Sequence, residues 1–396
     1  MKILVINAGS SSIKYQLFEM PSETVLAKGI LEKIGEETSQ LTHEFDSKKF
    51  KNQAKAKDHA AGMQLILETL VNSQIGVIKD ISEIHAVGHR VVHGGEEFTD
   101  SVIINDNVIA SIEKFADLAP LHNPPNLTGI KAAQKVLPDV AQVACFDTAF
   151  HTSIPKTAYI YALPYDIYEK FRVRRYGFHG TSHKYVAGRA AAMMGKKLDE
   201  VNIITCHLGN GCSMTAVKAG KSIDTSMGLT PLEGLVMGTR SGDFDPAILF
   251  YLAEKGYSVE ALNNMCNKQS GLLGISGVSN DMRNLLAQAD AGNEKAKLAF
   301  DIFCYRIKKY IGSYTAALGK LDAIVFTGGI GENGAKAREQ ACSGLDQIGV
   351  KIDHAENQKT IRFEGLITSA DSRVKVFVIP TNEELAIAQD TFTLAK

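Results

Sequence analysis

The stretch MKILVINAGSSSIKYQLF, residues 1–18, decides the fold. Residues 2–6 have the composition of a buried strand, residues 7–12 form a small polar turn, and residues 13–17 alternate apolar with polar as a returning half-buried strand. Gly9 lets a ligand approach the backbone closely, and Ser10, Ser11, Ser12 and Lys14 can bind phosphate oxygens. The sequence therefore predicts a β-hairpin with a phosphate-binding tip, although an ordinary serine-rich turn would account for the same residues.

Two later stretches have a related plan. Residues 201–217, VNIITCHLGNGCSMTAV, again read as an apolar strand, a glycine-containing polar loop and a returning strand. A third strand, residues 322–327, leads into GGIGENG (328–334) and then a helix-like segment, an arrangement that suits a nucleotide phosphate at the helix N-terminus. Two hairpin cradles and one nucleotide loop predict a cleft between two similarly built halves.

Local pattern predicts three further segments. The polar, lysine-rich residues 47–61 are expected to be an exposed excursion, and LHNPPN (121–126) a rigid loop. Residues 292–318 are predicted to be helical.

Seven motifs taken together give a specific resemblance. The chain resembles the acetate kinase family, whose order and spacing are matched by NAGSSSIKY (7–15), GHRVVHGGE (88–96), FHGTSHKY (178–185), HLGNGCS (207–213), MGTRSGDFDP (237–246), GGIGENG (328–334) and PTNEEL (380–385). The resemblance implies an α/β, duplicated RNase-H-like (actin-like ATPase) fold of two domains with an interdomain cleft. We expect an N-terminal domain at 1–150, a C-terminal nucleotide-binding domain at 151–380, and a final helix at 381–396 that packs back on the first domain.

The same resemblance implies a reaction: reversible, Mg²⁺-dependent transfer of the ATP γ-phosphoryl group to acetate, giving acetyl phosphate and ADP, with Mn²⁺ as an alternative ion. It implies that Arg90 binds the substrate carboxylate, that Arg240 bridges this carboxylate and the moving phosphoryl group, and that His179 donates to the phosphoryl oxygens. Arginine suits both tasks because its planar fork matches carboxylate and phosphate.

The remaining implied site residues form four groups. The substrate methyl group meets Val92, Leu121, Phe178 and Pro231, with Val92 expected on the same strand as Arg90. The ATP phosphates meet His207, Leu208, Gly209, Asn210 and Gly211, with Ser10, Ser12 and Lys14 from the other domain. The adenosine or α-phosphate end meets Gly329, Ile330, Gly331, Glu332 and Asn333, and Asp281, Met282 and Arg283 lie near the ribose and base. The metal contacts are Asn7 and Glu383.

Asp147 follows a buried strand, and the family gives it a catalytic or metal-organising place. A small carboxylic acid has a pKa near that of a side-chain carboxyl, about 4, so the nucleophile is already ionised at pH 7 and needs no general base. We therefore expect Asp147 to hold Mg²⁺ through water and to orient an arginine or the substrate. The T-x-x-E spacing of residues 381–384 predicts a capping box in which Glu384 reaches back to Thr381, leaving Glu383 for the metal.

Composition excludes several classes of protein. With 45% hydrophobic and 22% charged residues and a net charge of -1, the chain predicts a soluble globular protein without a general surface for nucleic acid or anionic membrane. Its six cysteines are isolated, which argues against a zinc ribbon or a disulfide framework. Without a leader or membrane-length apolar run we expect a cytoplasmic protein, and the resemblance implies a homodimer.

Several alternatives compete with this interpretation. A propionate or other short-chain acyl kinase is the nearest, and an actin-like ATPase is less favoured because it needs no carboxylate-binding Arg90 and Arg240. The G-x-G-x-x-G at 329–334 would suit a dinucleotide-dependent oxidoreductase, but it leaves both hairpins without a role. The histidines at 85, 89 and 93 lie in a strand-like segment, which argues against a helical metal stripe. The aromatic and arginine-rich residues 161–176 predict a solvated or subunit-contact face.

Overall fold

The computed structural model describes residues 1–396, and contacts divide the chain into two units. The first unit comprises Met1–Phe150 together with Asn382–Lys396, and the second comprises His151–Thr381. No helix is both long enough and apolar enough to cross a membrane.

Each unit contains one mixed sheet. The strands, in chain order, are β1 Lys2–Ala8, β2 Ser12–Glu19, β3 Thr24–Glu32, β4 Ser39–Phe45, β5 Lys48–Ala54, β6 Ile84–Val91, β7 Val102–Ile103, β8 Ala141–Phe146, β9 Asn202–Leu208, β10 Cys212–Lys218, β11 Lys221–Thr225, β12 Ala323–Thr327, β13 Gly365–Leu366 and β14 Lys375–Val378. The first sheet has the order β5-β4-β3-β2-β1-β6-β8-β7 and the second β11-β10-β9-β12-β14-β13.

The two sheets share a topology. In the first, β1 is antiparallel to β2 and parallel to β6, which is parallel to β8. In the second, β9 is antiparallel to β10 and parallel to β12, which is parallel to β14. Each unit therefore combines an antiparallel hairpin with a run of parallel strands, which confirms the predicted duplication of an α/β fold. Parallel neighbours bring their carboxyl ends to one edge of the sheet, where ligand sites form.

Helices cover the sheets. They are α1 His59–Leu70, α2 Asp106–Lys114, α3 Asn123–Val136, α4 Lys156–Tyr159, α5 Tyr165–Phe171, α6 Gly180–Met193, α7 Ala247–Glu254, α8 Val259–Lys268, α9 Gly271–Ser276, α10 Met282–Asp290, α11 Glu294–Leu318, α12 Gly328–Asn333, α13 Ala335–Cys342, α14 His354–Lys359 and α15 Glu383–Leu394. The longest, α11, buries Ala299, Phe303, Ile307, Ile311 and Tyr314 at three- and four-residue intervals, the spacing of one helix face.

The apolar residues of the opening stretch form part of the core of the first unit. Ile13, Tyr15 and Leu17 are buried, as their alternation in the sequence predicts, and they pack with Met63 and Ile66 of α1. Complete burial of one such aliphatic side chain stabilises the fold by about 1.5–3 kcal/mol.

Three local predictions were wrong. Residues 47–61 are largely exposed, as expected, but they are not an excursion: β5 is an edge strand and α1 begins at His59. LHNPPN (121–126) is not a rigid loop, because α3 begins at Asn123 with prolines in its first turn, where a missing N–H leaves no helical bond unmade. Residues 328–333 form helix α12 rather than a loop.

Candidate active site

Three functional side chains of the first unit come from the ends of its parallel strands. Register pairs Ile6 with His89 and Arg90 with Cys145, so Asn7 and Arg90 lie on adjacent strands and Asp147 directly follows the next strand. Arg90 donates to both oxygens of Asp147, from Nε to Oδ1 at 3.1 Å and from Nη2 to Oδ2 at 2.5 Å. The Asp147 side chain is only 2% exposed and that of Arg90 is 23% exposed. This bidentate pair fixes the guanidinium plane.

Acidic groups dominate the surroundings of Arg90. Burial disfavours its charge, but Asp147 and then Glu383 outweigh burial and raise the pKa of Arg90. Burial, together with Asp147 and Glu384, raises the pKa of Glu383 to about 7 against the opposing charges of Arg90 and Lys14. Three carboxyl groups, those of Asp147, Glu383 and Glu384, thus lie near two cations, Arg90 and Lys14.

This excess of negative charge suits a divalent cation, for which Asn7 and Glu383 are the predicted ligands. No group of three or more His, Cys, Asp or Glu side chains with metal-ligand geometry is present. Mg²⁺ commonly keeps several waters and takes few protein ligands, so such a cluster is not required.

The start of α15 differs from the predicted capping box. Asn382 is the N-cap, and its Oδ1 accepts from the Leu385 backbone N–H at 3.1 Å. The Thr381 backbone N–H instead donates to Glu332 Oε1 at 3.3 Å, so Glu384 does not cap the helix through Thr381. The prediction failed because asparagine, one position later, is as good a cap as threonine.

The tip of the first hairpin is a tight turn. The Gly9 N–H donates to the Ser12 carbonyl at 2.8 Å, while Ser10 and Lys14 are exposed and Ser12 is half-buried. His59 Nε2 lies 2.8 Å from the Gly9 carbonyl oxygen and anchors the turn to α1. Sequence reasoning missed His59, whose polar neighbourhood carries no signal of this contact.

In the second unit, His179 and Arg240 converge on one glycine. A Cβ atom placed on Gly211 would lie 3.3 Å from Arg240 Nη1 and 3.8 Å from His179 Cε1. The His179 and His207 rings stack with centroids 4.2 Å apart. His179 precedes α6 with a left-handed backbone, φ 56°, a conformation that non-glycine residues adopt mainly at constrained sites.

Arg240 has no carboxylate partner. Its Nη1 donates to the Pro231 carbonyl oxygen at 3.3 Å and approaches Met237 Sδ at 3.8 Å. Burial lowers the pKa of Arg240, with Cys212 opposing that effect. A half-buried cation that lacks a counter-ion is suited to bind an anion.

The second hairpin loop is held from two sides. The Gly238 N–H donates to the Asn210 carbonyl at 2.9 Å, and Asn280 Nδ2 donates to Asn210 Oδ1 at 2.9 Å. The Gly209 N–H donates to the Gly211 carbonyl at 3.1 Å. Leu208 ends β9 and is fully buried, so its side chain belongs to the core.

The predicted adenosine-end residues lie in α12 and at the start of α10. Glu332 Oε1 accepts from the Gly328 N–H at 3.0 Å, and Asn333 Nδ2 donates to the Gly329 carbonyl at 2.8 Å. Asp281 caps α10 and pairs with Arg283, whose side chain is 86% exposed. Met282 is buried. Within α12, Ile330 is half-buried and Gly331 is buried.

Arg338 is a residue that sequence reasoning missed. It is fully buried and donates to the Gly331 carbonyl from Nη1 at 2.8 Å and to Asn357 Oδ1 from Nε at 2.8 Å. Burial lowers its pKa to about 10. It holds α12 to Asn357 of α14.

The predicted apolar wall residues differ in exposure. In the first unit, Val92 is buried just beyond the end of β6, whereas Leu121 is 77% exposed. The expectation that Val92 continues the Arg90 strand is therefore wrong by one residue. In the second unit, Phe178 is buried and Pro231 is half-buried.

The face predicted at 161–176 to be solvated or a subunit contact is exposed at Leu163, Tyr165 and Phe171, but its last two arginines pack inside. The Arg174 guanidinium carbon lies 3.5 Å from the centroid of the Tyr159 ring, and Arg174 is buried. Arg175 Nη2 donates to Glu233 Oε1 at 2.7 Å, and its Nη1 donates to the Thr225 carbonyl at 2.8 Å. These two arginines are internal braces rather than solvated groups.

Solved structures first define the class of protein. The chain superposes on the Porphyromonas gingivalis acetate kinase with a TM-score of 0.97, at 48% identity and 100% coverage of both chains. It superposes on a propionate kinase from Francisella tularensis with a TM-score of 0.92, at 46% identity and 99% coverage of both. These matches define an acyl-kinase-type, duplicated actin-like fold.

Sequence comparison narrows the class to one family. Residues 2–389 match the Acetokinase family. Acetate kinase of Thermotoga petrophila is 59% identical over 394 residues, which cover 99% of this chain and 98% of the relative. The chain belongs to the acetokinase family.

Proposed function

We propose that this protein is an enzyme that transfers the γ-phosphoryl group of ATP to acetate, reversibly, giving acetyl phosphate and ADP. The observation that carries the proposal, beside family membership, is Arg240: a half-buried guanidinium without a carboxylate partner, next to His179. An ATPase without an acyl acceptor has no need of the Arg90 clamp, and the oxidoreductase alternative finds no support in this family.

Substrate binding follows from the charges. Arg90, oriented by Asp147, presents its remaining donor capacity to the carboxylate of acetate. Acetate is ionised at neutral pH, so none of the side chains is needed as a general base. Asp147, with both oxygens on Arg90, acts by holding that clamp.

Phosphoryl transfer needs charge neutralisation more than covalent help from the protein. Arg240 neutralises charge on the phosphoryl group, and His179 donates a hydrogen bond to a phosphoryl oxygen. Hydrogen bonds within the protein hold both groups, His179 at Ser213 and Arg240 at the Pro231 carbonyl oxygen, and donors held in place in this way contribute most to rate. Loss of one preorganised donor of this kind typically costs about 10²–10³ in kcat.

The metal and the nucleotide complete the proposal. Asn7 and Glu383 would hold Mg²⁺ or Mn²⁺, and the ion when bound would neutralise phosphate charge. ATP would bind the hairpin loop at 207–211 and the α12 segment 329–333, with residues 281–283 beside the ribose and base and Ser10, Ser12 and Lys14 on the phosphates.

Acetate is the preferred acid in this proposal, with propionate as a slower substrate. The structural relative described as a propionate kinase makes a longer acid a realistic second substrate. Hydrophobic pockets discriminate between substrates that differ by one methylene by only about 10- to 200-fold in kcat/KM. Val92, Leu121, Phe178 and Pro231 are the proposed wall.

We also propose a cytoplasmic homodimer in which the two units are the predicted domains. Helix α7 has no buried residue, although Ile248, Phe250 and Tyr251 on it are large and apolar, and Phe250 is 72% exposed. A second copy of the chain would cover this face. All six cysteines are buried thiols, as suits a reducing compartment.

The reaction is tested by trapping the acyl phosphate with hydroxylamine in the presence of Mg-ATP and acetate, propionate or butyrate. We expect hydroxamate with acetate and, at lower kcat/KM, with propionate. Absence of hydroxamate with all three acids would remove the proposal. Light scattering tests the dimer: a monomer at all concentrations would contradict it, and Phe250→Glu should shift a dimer toward monomer.

A further inference from the structure

A chain of hydroxyl and imidazole groups lies behind His179. Ser213 Oγ is 2.9 Å from His179 Nδ1 and 2.7 Å from His183 Nε2. His183 Nδ1 is in turn 2.7 Å from Thr205 Oγ1. Ser213, His183 and Thr205 are all fully buried. The three distances describe one continuous hydrogen-bonded chain that begins at the proposed phosphoryl-binding imidazole.

We propose that Ser213 and His183 are positioning residues that set the tautomer of His179, keeping its proton on Nε2 and its Nδ1 as an acceptor. This inference rests on the proposed function, because it is the phosphoryl group that requires a donor at Nε2. Neither Ser213 nor His183 contacts substrate in the proposal; both act through His179.

The direction of the chain follows from counting protons. Phosphoryl oxygens only accept, so the His179 nitrogen that binds them must carry a proton. In a neutral ring the other nitrogen, Nδ1, then accepts, and Ser213 must donate to it. A serine hydroxyl has one proton, so Ser213 must accept from His183 Nε2–H, and Thr205 must donate to His183 Nδ1.

The state of His183 keeps this order intact. Burial, followed by the nearby His151 and His207, holds the pKa of His183 well below its usual range, so this ring is neutral and has a single N–H. A neutral imidazole has one donor and one acceptor nitrogen, so the hydrogen bonds on its two sides must run in the same direction along the chain of groups. The competing acceptor for Thr205, the Thr215 carbonyl oxygen, is 3.5 Å away, much farther than the 2.7 Å to His183.

The sheet holds this series of hydrogen-bonded groups in place. Ser213 and Thr205 belong to the paired strands β10 and β9, and His183 and His179 lie one turn apart at the start of α6. The His179 ring cannot flip without breaking its bond to Ser213. Its stack on His207 holds the ring plane. These buried partners therefore select one tautomer in one orientation, as the hydrogen-bond partners of other functional histidines do.

Ser222 offers a matched control. It is fully buried, and its Oγ lies 2.9 Å from Nδ1 of another buried imidazole, His151. His151 packs edge-on against His183, with centroids 5.8 Å apart, but Ser222 makes no bond to His179. Ser213→Ala and Ser222→Ala thus each remove a buried hydroxyl that is bonded to an imidazole, but only Ser213→Ala removes a bond to His179.

The first test is kinetic. A wrong histidine tautomer can cost about 10⁴-fold in a Ser-His-Asp triad. Ser213→Ala removes the preference without imposing the wrong tautomer, so we expect kcat to fall about 10- to 100-fold with the KM values for ATP and acetate within about threefold. Ser222→Ala should keep kcat within about twofold. Equal loss of kcat in both variants, or none in Ser213→Ala, would overturn the proposal.

The second test does not depend on a variant retaining activity. In the wild-type enzyme with ¹⁵N-labelled histidine and Mg-ATP at pH 7.5, the His179 signals, assigned by their loss in His179→Gln, should show a protonated Nε2 and an unprotonated Nδ1. A protonated Nδ1 would overturn the proposal. If wild-type enzyme forms no acyl phosphate the proposed function fails; if it does and His179 carries its proton on Nδ1, only this inference fails.

Discussion

Arg90 and Asp147 are expected to be strongly coupled in stability, and a double-mutant cycle of Arg90→Met and Asp147→Asn measures that coupling. Two unit charges about 4 Å apart interact by about 4 kcal/mol at an effective dielectric of 20, and desolvation offsets part of this. Glu383 and Glu384 also face Arg90, so they soften the loss of Asp147. We expect a coupling energy of about 2–3 kcal/mol.

The assay must report on the first unit alone. The chain has no tryptophan, so hydrogen exchange of the β6 and β8 amides in increasing urea is the suitable readout. Arg90→Met should be the more destabilising single change, because it leaves a carboxylate that is 2% exposed without its cation. Arg90→Met with Asp147→Asn should cost less than the sum of the two.

Arg189 and Glu364 provide the control pair. They are also bidentate, at 2.9 and 2.7 Å, but their side chains are 44% and 32% exposed. Solvent screening should limit their coupling to about 0–1 kcal/mol. If the Arg90–Asp147 cycle were additive within about 0.5 kcal/mol, or no larger than this control, Asp147 would not be the group that holds Arg90.

Four further predictions concern catalysis, specificity and acid stability. Arg240→Ala should lower kcat by about 10²–10³ with the KM for ATP little changed, and a dominant rise in that KM would reassign Arg240 to nucleotide binding. Asp147→Asn should raise the Mg²⁺ concentration for half-maximal rate, because it removes a carboxylate charge beside Glu383, the proposed metal ligand; a lost acidic limb with unchanged Mg²⁺ dependence would make Asp147 a general base. Val92→Ala should lower the KM of propionate relative to acetate by about fourfold, the worth of one buried methylene, whereas parallel changes would place Val92 in ordinary core. Burial lowers the pKa of His89 and of His151 from 6.5 to about 4, so unfolding takes up protons at these residues. For each histidine the folded protein should lose about 1.4 kcal/mol of stability per pH unit as the pH falls between these values. A urea midpoint that stays constant from about pH 6.5 to about pH 5 would contradict this.

Local pattern was enough to predict the duplicated hairpins. In β1 the apolar residues are consecutive because the strand is buried on both faces. In β2 apolar residues alternate with polar ones because mainly one face is buried. Helix α11 was predicted at 292–318 and spans Glu294–Leu318, because a long apolar stripe at helical spacing is typical of a helix that packs on a core. The resemblance supplied the family and the reaction.

Contacts between distant positions could not be predicted. Arg90 and Asp147 are 57 residues apart and meet only because β6 and β8 are parallel neighbours. Ser213 meets His179 across 34 residues, and Arg338 meets Asn357 across 19 residues. The two prolines at the start of α3 led to the wrong prediction of a loop, because proline is common in the first turn of a helix although it breaks a helix interior.

The most direct test is ³¹P NMR of wild-type enzyme and Arg240→Ala with ATP, Mg²⁺ and acetate. We expect the wild-type enzyme to form acetyl phosphate and ADP in equal amounts, with the acetyl phosphate signal strongly reduced in Arg240→Ala. ADP with inorganic phosphate and no acetyl phosphate from the wild-type enzyme would instead identify an ATPase and contradict the acyl kinase assignment.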